Sequence, residues 1–342
     1  MTDKISLTTP PYTETSIEKL MNKNKPAKKS AFSLIELSVV ILIIGILVIG
    51  VTNGIKIINA SKLSSAQSLT INSPVAGVNG LVFWLEPSLD NSFLKGENIN
   101  NTTITKWLDI NPQNPQLGNA FAGQKSDTSK FYYDLSAATS ASGPTYIKNG
   151  INDIPTLRFK NTTIARKNLI VDPKATNNPL KDITMFVVLR CRSCNGYIID
   201  RQCINASGAA SSLCPLSGGG QPVFGLVSTP TTLVLQTRYD DGSSLAEISV
   251  SQSNNKPTIV TMERRYNKTM KLYINGKQVV SNTDNNKSIT MDPVLIGGHI
   301  SDTAVSDLDI SEVILIKEAM TNLDRDSIEE YLGTKYNIKT SN

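Results

Sequence analysis

Histidine is nearly absent from this 342-residue chain: His299 is the only one. Any Ser-His-Asp triad or histidine-rich metal centre would have to be built on that one position. Following Gly297-Gly298 at a strand end, it reads as a surface-loop residue. The acids are also short of pattern. Sandwich glycosidases alternate carboxylates along one strand face, as Glu-x-Asp-x-Glu, for acid/base work, and no such run exists here. Asp307-Leu308-Asp309 has the alternation without the third acid and reads as solvent-facing. Gly218-Gly219-Gly220 lacks both the following Lys-Thr and the strand-turn-helix frame of a phosphate-binding loop. Asp240-Asp241-Gly242, Asp302, Asp307 and Asp309 fall on predicted loops and are hard oxygen donors suited to calcium, but loop aspartates commonly serve as turn formers. The chain is therefore expected not to be an enzyme, with no metal site and no cofactor.

Excess charge is also scarce once the first segment is set aside. The formal net charge is +5. Residues 1–31 supply +3 of it, from Lys4, Lys19, Lys23, Lys25, Lys28 and Lys29 against Asp3, Glu14 and Glu18, which leaves +2 for the rest. The high isoelectric point thus belongs to the leader and does not point to nucleic-acid binding. Proline is missing from Phe32 to Ser73, so a helix opening at Phe32 can run to about residue 69–72. Between Phe32 and Val51 the only charge is Glu36. Twenty mostly apolar residues suffice to cross a bilayer core of roughly 30 Å, and a carboxylate inside such a span is a functional signal by default. The leader lysines next to the span put residues 1–31 on the cytoplasmic side and the bulk of the chain outside. Gly45, Gly50 and Gly54 weaken the helix; they allow either local melting or close approach of another helix.

Lys28-Lys29, then Ala31-Phe32-Ser33-Leu34-Ile35-Glu36 and an apolar run, resemble the processing site of type IV prepilins and pseudopilins. The resemblance implies cleavage by a prepilin peptidase between Ala31 and Phe32, N-methylation of Phe32, and a role for Glu36 in assembly with other pilin subunits in the inner membrane. The departure is Ala31, where the family usually has Gly. Glu36 can cap the helix start within one subunit or form an intersubunit ion pair in lipid, which would fix axial register because an unpaired buried charge is strongly unfavourable.

The expected organisation is a leader over 1–31, an assembly helix over 32–72, a linker over 73–80 and a β domain over 81–338. In the last, Leu81–Leu85, Met185–Leu189, Val223–Val227, Thr258–Met262 and Val313–Ile316 read as strands between Gly, Pro and Asn turns. Asn275-Gly276 predicts a type I′ hairpin. Thr321 and Asp324 open a terminal helix, with Ile328, Tyr331 and Leu332 facing the sandwich and Gly333 ending or loosening it. The fold class is α+β: a long N-terminal helix, a β-sandwich jelly roll and a C-terminal helix.

Trp84-Leu85-Glu86-Pro87-Ser88, Trp107-Leu108-Asp109, Pro155–Phe159, Thr184–Val188, Leu272–Lys277, Ile296-Gly297-Gly298 and Ile310–Leu315 through Tyr331-Leu332 are, as an ordered set, similar to concanavalin A-like, laminin-G-type domains. Asp309 stands where relatives often carry Gly. That resemblance implies two antiparallel sheets that bind glycans or proteins, or that serve as scaffolds. Tyr132, Tyr133, Tyr146, Tyr197 and Tyr266 are candidates for stacking on sugars; buried or edge-strand tyrosines are the plainer reading. Cys191, Cys194, Cys203 and Cys214 lie close enough for two disulfides or one zinc. Outside the cytoplasm, disulfides are favoured, with connectivity unreadable.

The expected protein is a pilin-like minor subunit, displaying its sandwich to a glycan or surface protein on an extracellular pilus. The alternative is a periplasmic type II secretion pseudopilin whose β domain contacts only machinery.

Overall fold

A computed structural model describes residues 33–115, 117–122, 143–160, 168–171, 181–201, 224–238, 245–251, 254–266, 268–283, 294–298 and 306–341. The chain divides into two compact units, Met1–Lys56 and Ile57–Asn342.

Helix α1 spans Leu34–Ile71, about 57 Å at 1.5 Å per residue. It ends where Pro74 opens a 3-10 turn, Pro74–Gly77. The first unit contains its apolar part, exposed on every side from Leu34 to Val51. The helix runs unbroken through Gly45, Gly50 and Gly54, and a Cβ at any of them would meet open space. Within the second unit, the last turns of α1 are docked: Ala66 and Thr70 are buried, and Val75 of the 3-10 turn is fully covered.

The second unit is a sandwich of two antiparallel sheets, each eight-stranded among the described residues. Its strands are β1 (Leu81–Leu85), β2 (Lys106–Trp107), β3 (Ala120–Ala122), β4 (Thr145–Ile151), β5 (Ile154–Lys160), β6 (Leu169–Val171), β7 (Ile183–Ser193), β8 (Gly196–Arg201), β9 (Phe224–Ser228), β10 (Thr232–Arg238), β11 (Leu245–Ser251), β12 (Pro257–Arg265), β13 (Thr269–Ile274), β14 (Lys277–Thr283), β15 (Val294–Ile296) and β16 (Asp307–Ile316). The first sheet runs β14-β13-β12-β7-β16-β5-β4. β16 pairs with β5 over residues 307–310 and with β1 over 313–316, while β7 takes its other edge. The second sheet runs β11-β10-β9-β8-β15-β6-β3-β2.

Successive strand residues face opposite sides, and both sides of the first sheet are apolar. Met185, Val187, Leu189, Val313 and Leu315 join the core between the sheets. Phe186, Val188, Ile314 and Ile316 face outward, into a second core with Ala66, Val75 and helix α2 (Asn322–Tyr336). Burial on both faces is why these strands read as unbroken apolar runs rather than alternating ones.

Local signals placed the turns correctly. Asn275 and Gly276 take φ of 50° and 81° and join β13 to β14, as a type I′ hairpin requires. Thr321 caps α2 by accepting the Asp324 amide at 3.1 Å, and Asp324 accepts the Thr321 hydroxyl at 2.7 Å. Ile328, Tyr331 and Leu332 are buried as expected. Gly333 corrects the expectation. It does not end the helix, which continues to Tyr336 and stops at Asn337 in the left-handed region. The terminal segment folds back so closely that a Cβ on Gly333 would lie 2.8 Å from the Ile338 carbonyl oxygen.

Candidate functional site

The first functional element is the start of α1. Ser33 is its N-cap: its Oγ accepts the Ile35 amide at 3.3 Å, while the Ser33 amide donates to Glu36 Oε2 at 2.8 Å. This is a capping box, and it satisfies two of the amides that a helix start otherwise leaves without partners. Glu36 is thus a working cap within one chain, its carboxylate at the positive end of the helix. Ser33 was overlooked in the sequence, although Ser-x-x-Glu before an apolar run is the signature of this motif. Ala31 and Phe32 lie outside the described residues.

The second element is a closed charge cluster on the outer face of the first sheet. Glu86 follows β1, Glu312 lies on β16 and Lys335 on α2; all three side chains are fully buried. Lys335 Nζ donates to Glu86 Oε2 and Glu312 Oε2, both at 2.9 Å. Glu312 also accepts the Trp84 indole at 2.6 Å and the hydroxyls of Tyr331 and Tyr336 at 2.9 Å each. Glu86 accepts the Ser88 amide and hydroxyl, the Leu89 amide and the Ser92 hydroxyl. Burial pushes the Glu86 carboxyl up, but Lys335 and the hydrogen bonds outweigh it and hold the group below its ordinary value. Burial pulls the Lys335 ammonium down, yet Glu312 and Glu86 keep it well above its ordinary value. Burial pushes the Tyr331 and Tyr336 phenols well up, and Glu312 adds to it. The cluster is charged, saturated with donors and sealed from water, which suits a clamp. Thr70 of α1 reaches the Tyr331 hydroxyl at 3.4 Å. The sequence carried a signal for Lys335: it lies on the buried stripe of α2 with Ile328, Tyr331 and Leu332.

The third element is an ion row near the start of β16. Asp309 is the register partner of Arg158 on β5 and of Arg190 on β7. Its side chain is fully buried, correcting the expectation that Asp307 and Asp309 are loop residues facing solvent: both are on a strand, and Asp307 is half-buried. Two arginines on adjacent strands cover Asp309. Arg158 donates Nε to Oδ1 at 2.7 Å and Nη2 to Oδ2 at 3.2 Å; Arg190 donates Nε and Nη2 to Oδ2 at 3.1 and 2.5 Å.

The remaining predicted positions scatter. Tyr146 is buried against Phe93 in an edge-on contact. Tyr197 is half-buried on β8, and Tyr266 is half-buried in the turn that follows β12. Cys191 and Cys194 are bonded to each other, tying the end of β7 to the turn into β8. Cys203, Cys214, Tyr132, Tyr133, Asp240, Asp241, His299 and Asp302 lie outside the described residues. Among the described residues, no group of three or more His, Cys, Asp or Glu side chains could hold a metal ion. A cleft of about 450 Å³ lies between the 3-10 turn and the start of α2, lined by Pro74, Val78, Met320 and Asp324. A smaller one of about 160 Å³ opens between Leu189, Leu233 and Ile274, below the roughly 300–1,000 Å³ of ordinary small-molecule sites.

Residues 26–52 match the prokaryotic N-terminal methylation motif. The chain carries a type IV prepilin signature. With the apolar helix behind it, this signature makes the protein a single-pass membrane-anchored chain with its bulk outside the cytoplasm. Among solved structures, it is similar to the binding domain of Paraclostridial mosquitocidal protein 1, at 14% identity and a TM-score of 0.48, over 74% of this chain and 52% of that one. It is also similar to botulinum neurotoxin type C, whose cell entry depends on interaction with two ganglioside molecules, at 14% identity and 0.46, over 74% and 52%. The ligand-binding domain of botulinum neurotoxin serotype D, solved with N-acetylneuraminic acid, gives 15% identity and 0.45, over 75% and 52%. The chain spans about half the length of the structures it matches. No curated protein sequence matches it.

Proposed function

We propose that this protein is a pilin-like minor subunit that assembles through α1 and displays its sandwich for adhesion to a glycan or surface protein. Prepilin peptidase cuts between Ala31 and Phe32 on the cytoplasmic side, Phe32 becomes the methylated terminus, and the chain passes from the inner membrane into an extracellular pilus. The observation that carries this reading is the methylation motif, with Glu36 held at the very start of an apolar helix. Cleavage before Phe32 puts an ammonium three residues ahead of the Ile35 amide that Ser33 caps, within a turn of Glu36. A neighbouring subunit that supplies its own ammonium can compete for the same carboxylate, and in lipid such a pair is strongly preferred to a lone charge. The sandwich is a display domain and not an enzyme. In support, the two carboxylates brought together on its first sheet, Glu86 and Glu312, are both committed to Lys335 without exposed surface. The likeness to laminin-G-type domains in the ordered sequence motifs favours binding of a glycan or protein.

Mass spectrometry of the mature N-terminus tests the assembly half, with a methylated Phe32 as the expected result. Glu36→Ala should leave membrane insertion intact and reduce recovery in sheared filaments at least tenfold. Normal incorporation of that variant would sink the assembly role. A glycan array combined with whole-cell binding tests the adhesive half.

A further inference from the structure

The row around Asp309 holds more positive charge than its own fold requires. One arginine would neutralise the buried carboxylate, and here two flank it in register. Each guanidinium has five N–H donors and spends Nε and Nη2 on Asp309. The outward Nη1 groups have no acceptor among the described residues, and Arg158 and Arg190 keep 26% and 20% of their side-chain surface exposed. Lys160, two residues beyond Arg158, is exposed and stands in register opposite Asp307. Arg192, two beyond Arg190, is 39% exposed and reaches Asp307 at 3.4 Å. Four cations thus meet two carboxylates on the ends of three adjacent strands, in a chain whose residues after 31 sum to only +2.

A buried aspartate that fixes two like-charged forks side by side provides what carboxylate recognition needs. The guanidinium planes are oriented in advance, so less side-chain freedom is lost on binding, and each can meet a planar carboxylate through paired N–H donors. We propose that this end of the first sheet's outer face is the adhesive surface, and that its ligand is a carboxylate-bearing glycan of the polyuronate kind. The proposal rests on the adhesive reading above and names its ligand class. Nucleic acid is a poor alternative because the sandwich lies outside the cytoplasm. An extended polymer with repeated carboxylates also matches a row of cations spread over β5 and β7 better than it matches the clefts.

The test is retention of the full-length detergent-solubilised protein on immobilised polygalacturonate, with the fully methyl-esterified polymer, a sulfated glycan and polyglutamate as parallel arms. Binding to polygalacturonate that weakens with salt and is lost on the methyl ester is the expected result. Arg158→Gln should weaken it by about tenfold, the equivalent of one charge-assisted contact. Lys160→Gln with Arg192→Gln, which leaves both arginines on Asp309, should weaken it by a similar factor and keeps the test valid if Arg158→Gln fails to fold. Equal binding to the ester, preference for the sulfated glycan, or unchanged binding by the double variant would overturn the site. Equal retention on polyglutamate would overturn the glycan in favour of an acidic protein. Cell adhesion that persists in the double variant would overturn this surface while leaving the adhesive reading standing. A wild-type chain that adheres to no cell or glycan would sink the adhesive reading itself.

Discussion

Two ion clusters sit on the same sheet face and handle surplus charge in opposite ways. Around Lys335 the surplus is negative, with two carboxylates on one ammonium, and the protein absorbs it internally through indole, phenol, serine and amide donors. Around Asp309 the surplus is positive, with two guanidiniums on one carboxylate, and it is turned toward solvent. A cluster that is closed and saturated serves the fold. A cluster that is fixed but left unbalanced at the surface serves whatever arrives. The difference lies in the surplus and not in the number of ion pairs.

Substitutions should separate the two. Lys335→Met leaves two buried carboxylates without their counter-charge and should cost about 3–5 kcal/mol, read as a large fall in the thermal unfolding midpoint. Removing the charges together, as Glu86→Gln, Glu312→Gln and Lys335→Met, should cost less than Lys335→Met alone, because no charge is left stranded. If the single variant is the milder one, the cluster is not the clamp described.

Acid should act on the closed cluster as well. Because Glu86 titrates below its ordinary value in the folded protein, its contribution is present above about pH 4.5 and is lost as pH falls from there through the folded value. Lys335, held above its ordinary value, contributes fully below about pH 10.5 and loses its contribution only as pH rises past that. Unfolding midpoints across pH 2–7 should therefore drop steeply at the acid end in the wild type and less so in the triple variant.

Asp309→Asn should cost about 1–2 kcal/mol, less than Lys335→Met, since its freed arginines are partly exposed and can turn to water. The smallest effect is expected for Lys62→Ala. Its 2.5 Å pair with Asp153 leaves both side chains nearly half exposed, and about 0.5 kcal/mol or less is expected. A loss of 2 kcal/mol there would mean that an exposed pair outweighs its screening.

The sequence made the assembly helix legible, because an apolar run with a lone acid and no proline has few other readings. It also exposed the strands and the Asn275-Gly276 turn, whose signals are local. Apart from the place of Lys335 on the buried stripe of α2, the ion clusters were not legible. Glu86, Glu312 and Lys335 are 226 and 23 positions apart along the chain and meet only through sheet order and the return of α2. Asp309 looked like a loop acid because its partners, Arg158 and Arg190, depend on a register that nothing local encodes. Gly333 has a different, local reason: the helix closes through Asn337 in the left-handed region, and the Ile338 amide returns to the Gly333 carbonyl at 2.8 Å, so the stop lies four residues beyond the glycine.

The docked end of α1 has a mechanical consequence. Lys62, Gln67 and Thr70 each reach a different part of the sandwich: Asp153, the Ser88 carbonyl and Tyr331. They are spread over about two turns along one helix axis. Tension applied along that axis loads the three attachments and the buried Ala66 contact together in shear instead of opening them one at a time. A pull on the sandwich along that axis is thus shared by the whole seam, and the tether should fail as a unit rather than peel.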